Sequence, residues 1–295
     1  MTAVTLEAPP AVATGPSGLR SVGSRLWIVA VWSAVIFFIV NLLGIIAAVV
    51  TSSFATRWLR SWLPNDYTTR WYLSAWDEFQ LHDVLLVTFQ IVGAVVLLSG
   101  LLGVPAAYAM ARRDFPGKKV MMLIFLLPLL VPPVTFGIPL ATVLYQSGLG
   151  GTMAGVVLAN LVPTVPFVIL VMIPFIEQID PRVEAAARVF GAGTFRMFVH
   201  VLLPLLMPGV LAALLLVLVR TIAMFELTFL TAGPSSQTLV VALYYAVFAA
   251  GVRAVQSIDA MAVVYMVTTL IWLVIALRFV NPTQMVTRSK RQSAH

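Results

Sequence analysis

From Leu26 to Thr51 the chain carries no charged side chain. At about 1.5 Å of rise per residue, a helix of that length crosses a hydrocarbon core roughly 30 Å thick. Five further apolar stretches follow, at about 84–111, 120–146, 153–176, 204–231 and 258–280. Inside lipid each backbone N–H and C=O needs a partner within the protein, so such stretches fold as helices. Strands of a membrane barrel would alternate apolar and polar residues over about 10 positions, and that pattern is missing. The fold class is therefore all-α: a polytopic membrane protein with about six transmembrane helices and a cytoplasmic amphipathic segment.

Composition agrees, with 61% hydrophobic residues, 10% charged and a mean hydropathy of +1.01. A soluble domain carries roughly 25% charged residues. The net charge of +7 comes from basic residues at span ends, which points to membrane topology and not to nucleic acid. There is no cysteine, so disulfides and thiol catalysis are excluded. The chain divides into a disordered cytoplasmic N-terminal tail (1–25), a first span with an outer segment (26–83), a core (84–281) and a basic cytoplasmic tail (282–295). The first span is too long for a signal-peptide core and reads as retained.

Orientation follows from the short loops. Arg20 and Arg25 precede span one, and Arg112, Arg113, Lys118 and Lys119 sit in the turn after span two. Arg182, Arg188 and Arg196 follow span four, while Arg288, Lys290 and Arg291 follow span six. With six spans all four groups share one side, and the positive-inside rule makes it cytoplasmic. Both termini are then inside. In the outer segment, Trp58, Trp62, Trp71 and Trp76 suit an interfacial belt or an ordinary surface loop. Seven prolines in spans three and four (Pro128, Pro132, Pro133, Pro139, Pro163, Pro166 and Pro174) free carbonyls that protein or cavity water must satisfy. That places these spans around a solute path.

Residues 178–203 are the most informative segment. Val183, Ala186, Ala187 and Phe190 recur at helical spacing, and Glu184 and Arg188 can pair at i and i+4 on the other face. Gly191 and Gly193 stop or bend the helix. Phe195, Phe198, Val199 and Leu202 form a second stripe before Pro204. Two short helices at an angle would make a knob; the alternative is a connector resting on the lipid surface.

This segment resembles the cytoplasmic-loop motif of ABC-transporter permeases: Glu-Ala-Ala, three variable residues, Gly, nine variable residues, then hydrophobic-x-Leu-Pro. Aligned on Gly191, the chain supplies Ala186, Ala187, Val201, Leu203 and Pro204, with Ala185 in the glutamate position and Glu184 one residue early. Further similarities are Ala107-Tyr108-Ala-Met-Ala-Arg112 with Phe115-Pro-Gly117, Leu127-Pro128 with Pro132 and Gly137, and Phe225-Glu226 with Phe229-Leu-Thr-Ala-Gly233-Pro234. They run in order over roughly 85–280.

The resemblance implies a type I binding-protein-dependent ABC importer, of the spermidine/putrescine or maltose type, in a bacterial cytoplasmic (inner) membrane. The implied partners are a second permease forming a heterodimer, two ATP-binding subunits, an extracytoplasmic solute-binding protein and the lipid bilayer. Glu184, Ala186, Ala187, Arg188, Phe190, Gly191, Ala192, Phe195, Leu203 and Pro204 would couple to the ATPase. The chain itself has no Gly-x-x-x-x-Gly-Lys-Ser/Thr loop; Pro116-Gly-Lys118-Lys119 lacks the hydroxyl. It binds no cofactor, and partner subunits would hydrolyse the ATP.

Charges inside spans are costly and mark function by default. Glu226 and Arg220, read as six residues apart on one helix and facing different ways, lead the solute-path candidates; Asn160 and Asp259 rank lower, and Gln90 and Thr88 lower still. Glu226 could equally make a structural hydrogen bond to a neighbouring span, and Arg220 a salt bridge to a partner subunit. His82, His200 and His295 are isolated, and no catalytic constellation argues for an enzyme. The solute reading leans to polyamines or other organic ions, with sugars as the alternative. A different class, an ion-coupled secondary transporter using Glu226 and Arg220, would need an internal repeat that is not apparent.

Overall fold

The computed structural model describes residues 17–58, 61–248 and 253–279; of the tails expected at 1–25 and 282–295, residues 1–16 and 282–295 lie outside them, and 17–25 are helical. Every regular element among the described residues is helical, with two isolated bridges, Ala55–Tyr67 and Gly151–Ala232. The chain up to Thr51 forms one unit, built of helix α1 (Ser17–Phe54), which starts before the expected Leu26. From Trp27 to Ala48 all its side chains are exposed, the all-round apolar surface of a lipid-solvated helix.

The second unit begins with a turn clamped by Thr56 and Asp66 and a short amphipathic helix, α2 (Arg70–Glu78). Helices α3 (Leu81–Arg112), α6 (Met153–Glu177) and α9 (Leu203–Ile222) share the main core. In lipid, burial gives no drive for helix association, so close packing of small residues matters. A Cβ on Gly103 of α3 would lie 2.7 Å from Cγ1 of Val168 in α6, and one on Gly100 would lie 2.8 Å from Cδ2 of Leu214 in α9.

The C-terminal ends of α3 and α6 lie together, because Arg112 hydrogen-bonds the carbonyl of Ile179 just beyond α6. At the opposite end, the N–H of Gly151 donates to the carbonyl of Thr231 at 2.9 Å. The hydroxyl of Ser236 donates to the Gly151 carbonyl, also at 2.9 Å. Thr88 of α3 accepts the N–H of Leu239 at 2.8 Å and so caps helix α11 (Leu239–Phe248).

Span three, expected as one helix, is two: α4 (Lys118–Leu130) and α5 (Pro133–Gln146), bent by 100°. Pro132 and Pro133 are the cause. A residue before proline avoids the α region, and Val131 and Pro132 both have extended ψ, at 134° and 135°. The pair still carries the chain from the Arg112 end to the Gly151 end, which makes it one broken span. Counted so, six segments are long and apolar enough to cross a membrane.

Span five also departs from expectation. It starts at Thr194, not 204, and runs through α8 (Thr194–Met197), a π-helical turn at Phe198–Leu202 and α9 to Ile222. The wide turn falls immediately before Pro204, whose ring would clash with the carbonyl of His200 in an ideal helix. The residues expected as a second short helix are thus the first turns of the span. Its end is earlier too: the chain breaks at 223–225, and Glu226 opens a separate helix, α10 (Glu226–Thr231). Tertiary packing prevails here. Leu227 is fully buried, and Gly137 of α5 lets α10 approach until a Cβ there would be 2.9 Å from Leu230. Helix α12 (Val255–Phe279) completes the fold.

Candidate functional site

Helix α7 (Pro181–Val189) carries the sequence-predicted contact segment. The carboxylate of Asp180 caps its start, accepting the N–H of Arg182 at 2.9 Å, and Pro181 takes the first helical position, where its missing N–H costs nothing. At the other end Gly191 has φ +80°. The N–H of Ala192 reaches the carbonyl of Ala187 at 3.1 Å, and that of Gly191 reaches Arg188 at 2.9 Å. This paired closure is a Schellman motif, and its left-handed residue is the reason for glycine.

Glu184 points inward and is only 7% exposed. Its Oε1 accepts from Nε of Arg112 at 2.7 Å, and its Oε2 accepts from the Tyr108 hydroxyl at 2.8 Å. Arg112 also bonds the Ile179 carbonyl. The Tyr108 ring lies 5.4 Å from that of Phe198 at the head of span five. One buried polar cluster therefore ties the end of α3 to α7, and the adjoining ring contact ties it to span five. The expected Glu184–Arg188 pair does not form, because Arg112 offers the carboxylate a less exposed partner.

The expected apolar face is likewise split. Val183 and Ala187 turn inward, whereas Ala186 is exposed and Phe190 is 90% exposed. In the second stripe Phe198, Val199 and Leu202 are wholly or partly buried, while Phe195 is 80% exposed; the anchor there is fully buried Met197. Ala192 and Leu203 pack against the main core, and Pro204 is exposed. Val189, at 85% exposure, was missed. Val189, Phe190 and Phe195 thus form an uncovered apolar face on a segment that is pinned from behind. Arg182, Arg188 and Arg196 around it are also exposed.

The solute-path candidates are dispersed. Asn160 is buried and its Nδ2 donates to the carbonyl of Val156 at 2.9 Å and to the Thr228 hydroxyl at 3.3 Å, joining α6 to α10. Its Oδ1 is buried without a hydrogen-bond partner among the described residues. Glu226 stands half-exposed on the first turn of α10, with no hydrogen bond or ion pair among the described residues. Arg220, no longer on the same helix as Glu226, lies over the Phe167 ring at 5.5 Å. Gln90 is exposed on α3, Asp259 accepts from Ser52, and Thr88 has the capping role given above. Of the seven prolines, Pro163 and Pro166 are buried, but Pro132, Pro139 and Pro174 are exposed.

Sequence reasoning missed an aromatic cluster beside Glu226. Phe225 and Phe229 stack at 5.1 Å, Tyr244 lies 4.9 Å from Phe225 and 5.2 Å from Phe229, and Phe248 lies 4.6 Å from Tyr244. The rings come from α10 with the residue preceding it, Phe225, and from α11, whose separation by a polar loop hid the cluster.

Three comparisons bear on this arrangement. The family described as "Binding-protein-dependent transport system inner membrane component" matches residues 100–284, more than half of the chain. The diacetylchitobiose uptake system permease protein NgcG of Streptomyces coelicolor is 31% identical over 51% of this chain and 50% of its own length. The molybdenum transport system permease protein ModB of Haemophilus influenzae is 33% identical over 48% of this chain and 69% of its own. The chain thus spans about half to two-thirds of these relatives. A solved bacterial ABC transporter involved in import of the acidic polysaccharide alginate shares the fold, with a TM-score of 0.72 at 16% identity, covering 92% of this chain and 99% of that one.

Proposed function

This chain belongs to the family of binding-protein-dependent transport system inner membrane components, and we propose that it moves a small polar solute inward by alternating access. It is a permease subunit of an ABC importer and not an enzyme. As a multi-pass inner membrane protein, it would work with a second permease as a heterodimer, two ATP-binding subunits and an extracytoplasmic solute-binding protein. The observation that carries this reading is the pinned face of Val189, Phe190 and Phe195. A partner that pushes on that face moves α7, and the Glu184–Arg112 contact passes the displacement to α3. The Tyr108–Phe198 contact passes it to span five.

The surplus of arginine and lysine at this end supports a cytoplasmic position for the knob and for both termini. ATP would be bound and hydrolysed by the partner subunits. Domain limits follow the same reading: a cytoplasmic tail (1–25), a first span with its outer segment (26–83), the permease core (84–281, with the coupling loop at 178–203) and a basic tail (282–295).

For the solute, Glu226 beside the Phe225–Phe229–Tyr244 rings favours an organic cation such as a polyamine, since aromatic faces and a carboxylate both attract ammonium groups. A sugar is the second reading, because rings also stack on sugars and a relative named for diacetylchitobiose uptake is similar. The ion-coupled alternative has no support in the family match. Uptake by proteoliposomes holding the whole complex tests the reading: transport requires internal ATP, and persistence without ATP contradicts it. Competition by spermidine or by maltose then separates the two solute classes.

A further inference from the structure

The end of α3 and the helix α7 enclose a cleft of about 410 Å³, lined by Tyr108, Arg112, Arg113, Glu184, Ala185 and Arg188 among others. Its charges divide into a closed ion pair and two exposed arginines. Arg112 and Glu184 neutralise each other, and Tyr108 takes the second carboxylate oxygen. Arg113 and Arg188 are exposed, one on each wall, and neither makes an ion pair among the described residues. Nearby acids do not offset them: Asp114 is held by Lys118 at 3.1 Å, and Asp180 caps α7. Small Ala185 leaves the mouth open. The cleft is therefore a hollow with a closed polar floor and two exposed guanidinium groups at its rim, that of Arg188 also reaching the Tyr108 hydroxyl.

Such an arrangement suits an oxyanion. Each guanidinium presents a planar fork of donors that matches a carboxylate bidentately. We propose that the cleft is a socket for a carboxylate side chain, aspartate or glutamate, projecting from the ATP-binding subunit. This deepens the permease reading and rests on it. Position decides for a protein carboxylate over a lipid phosphate. The α7 wall continues directly into Val189 and Phe190, so a subunit seated on that face brings its own rim residues to the cleft. The socket adds charge selection to an otherwise apolar contact, and it lies on the partner of α3 that the buried pair holds in place.

The test measures affinity of the cognate ATP-binding subunit for the full-length permease complex in nanodiscs across a salt series. Wild type should bind more weakly as salt rises. Arg113→Gln/Arg188→Gln should bind roughly tenfold more weakly at low salt and show a flatter salt dependence. Both side chains are exposed, so thermal unfolding of the variant should match wild type. Each single variant, Arg113→Gln and Arg188→Gln, should give part of the effect. Unchanged affinity and salt dependence in the double variant overturn the socket. So does a variant that loses co-purifying anionic phospholipid while binding the subunit normally, since the cleft then serves a lipid phosphate. Failure of wild type to bind the subunit at any salt sinks the permease reading itself.

Discussion

Glu184 and Arg112, 72 positions apart in the chain, meet at 2.7 Å in a pocket that also takes the Tyr108 hydroxyl. The contact converts an amphipathic loop into a rigid extension of α3. A surface helix free to rock would absorb a partner's motion, whereas one tied by a buried charge pair must transmit it. The carboxylate is consumed inside the chain, whereas Val189, Phe190, Phe195 and the surrounding arginines are left exposed.

Breaking the pair should be costly. Removing one partner of a buried ion pair destabilises by about 3 kcal/mol, because the other charge is left desolvated. Arg112→Ala and Glu184→Ala should each lower the thermal midpoint of the purified complex, and Tyr108→Phe should lower it less, by about 1 kcal/mol equivalent. Equal midpoints for Glu184→Ala and wild type would show that the pair holds nothing together.

Gly191 should tolerate no ordinary side chain without strain, although a Cβ there meets nothing within 4 Å. The cost is conformational, about 1–2 kcal/mol for an L-residue in the left-handed region. Gly191→Ala should therefore weaken the complex through frayed α7, while Gly191→Asn should be milder. Hydrogen exchange of the α7 amides checks this: faster exchange in Gly191→Ala alone is expected.

Glu226 makes no hydrogen bond or ion pair among the described residues, so Glu226→Gln should leave thermal stability within about 0.5 kcal/mol of wild type. If its carboxylate receives an ammonium group, uptake of an organic cation falls while ATP hydrolysis by the complex persists. Unaltered uptake kinetics would remove Glu226 from the solute path.

Helices were legible where a single periodic signal spoke, as in α6, which runs within a residue of its expected limits. They were illegible where packing overrode it. Residues 204–231 read as one apolar run, yet α10 leaves that run because Leu227 and Leu230 find a groove beside Gly137. Pro132-Pro133 marked a break, but its size of 100° depends on contacts that α5 makes with α10. The role of Glu184 was hidden in another way. Local spacing offered Arg188 at i+4, and only the parallel packing of α3 against α6 brings Arg112 closer. The single acid on an otherwise apolar inward face was the available signal. Phe190 read as sharing one face with Val183 and Ala187 for a related reason: periodicity identifies an apolar stripe but not which of its members the chain itself covers.

We propose that the exposed face of α7 receives the ATP-binding subunit. This is tested most directly by co-purification of solubilised complexes from membranes expressing wild type or Val189→Asp/Phe190→Asp. The wild-type chain should retain the ATP-binding subunit and the variant should lose it, with unchanged helicity and membrane insertion. Full retention of the subunit by the variant would contradict this.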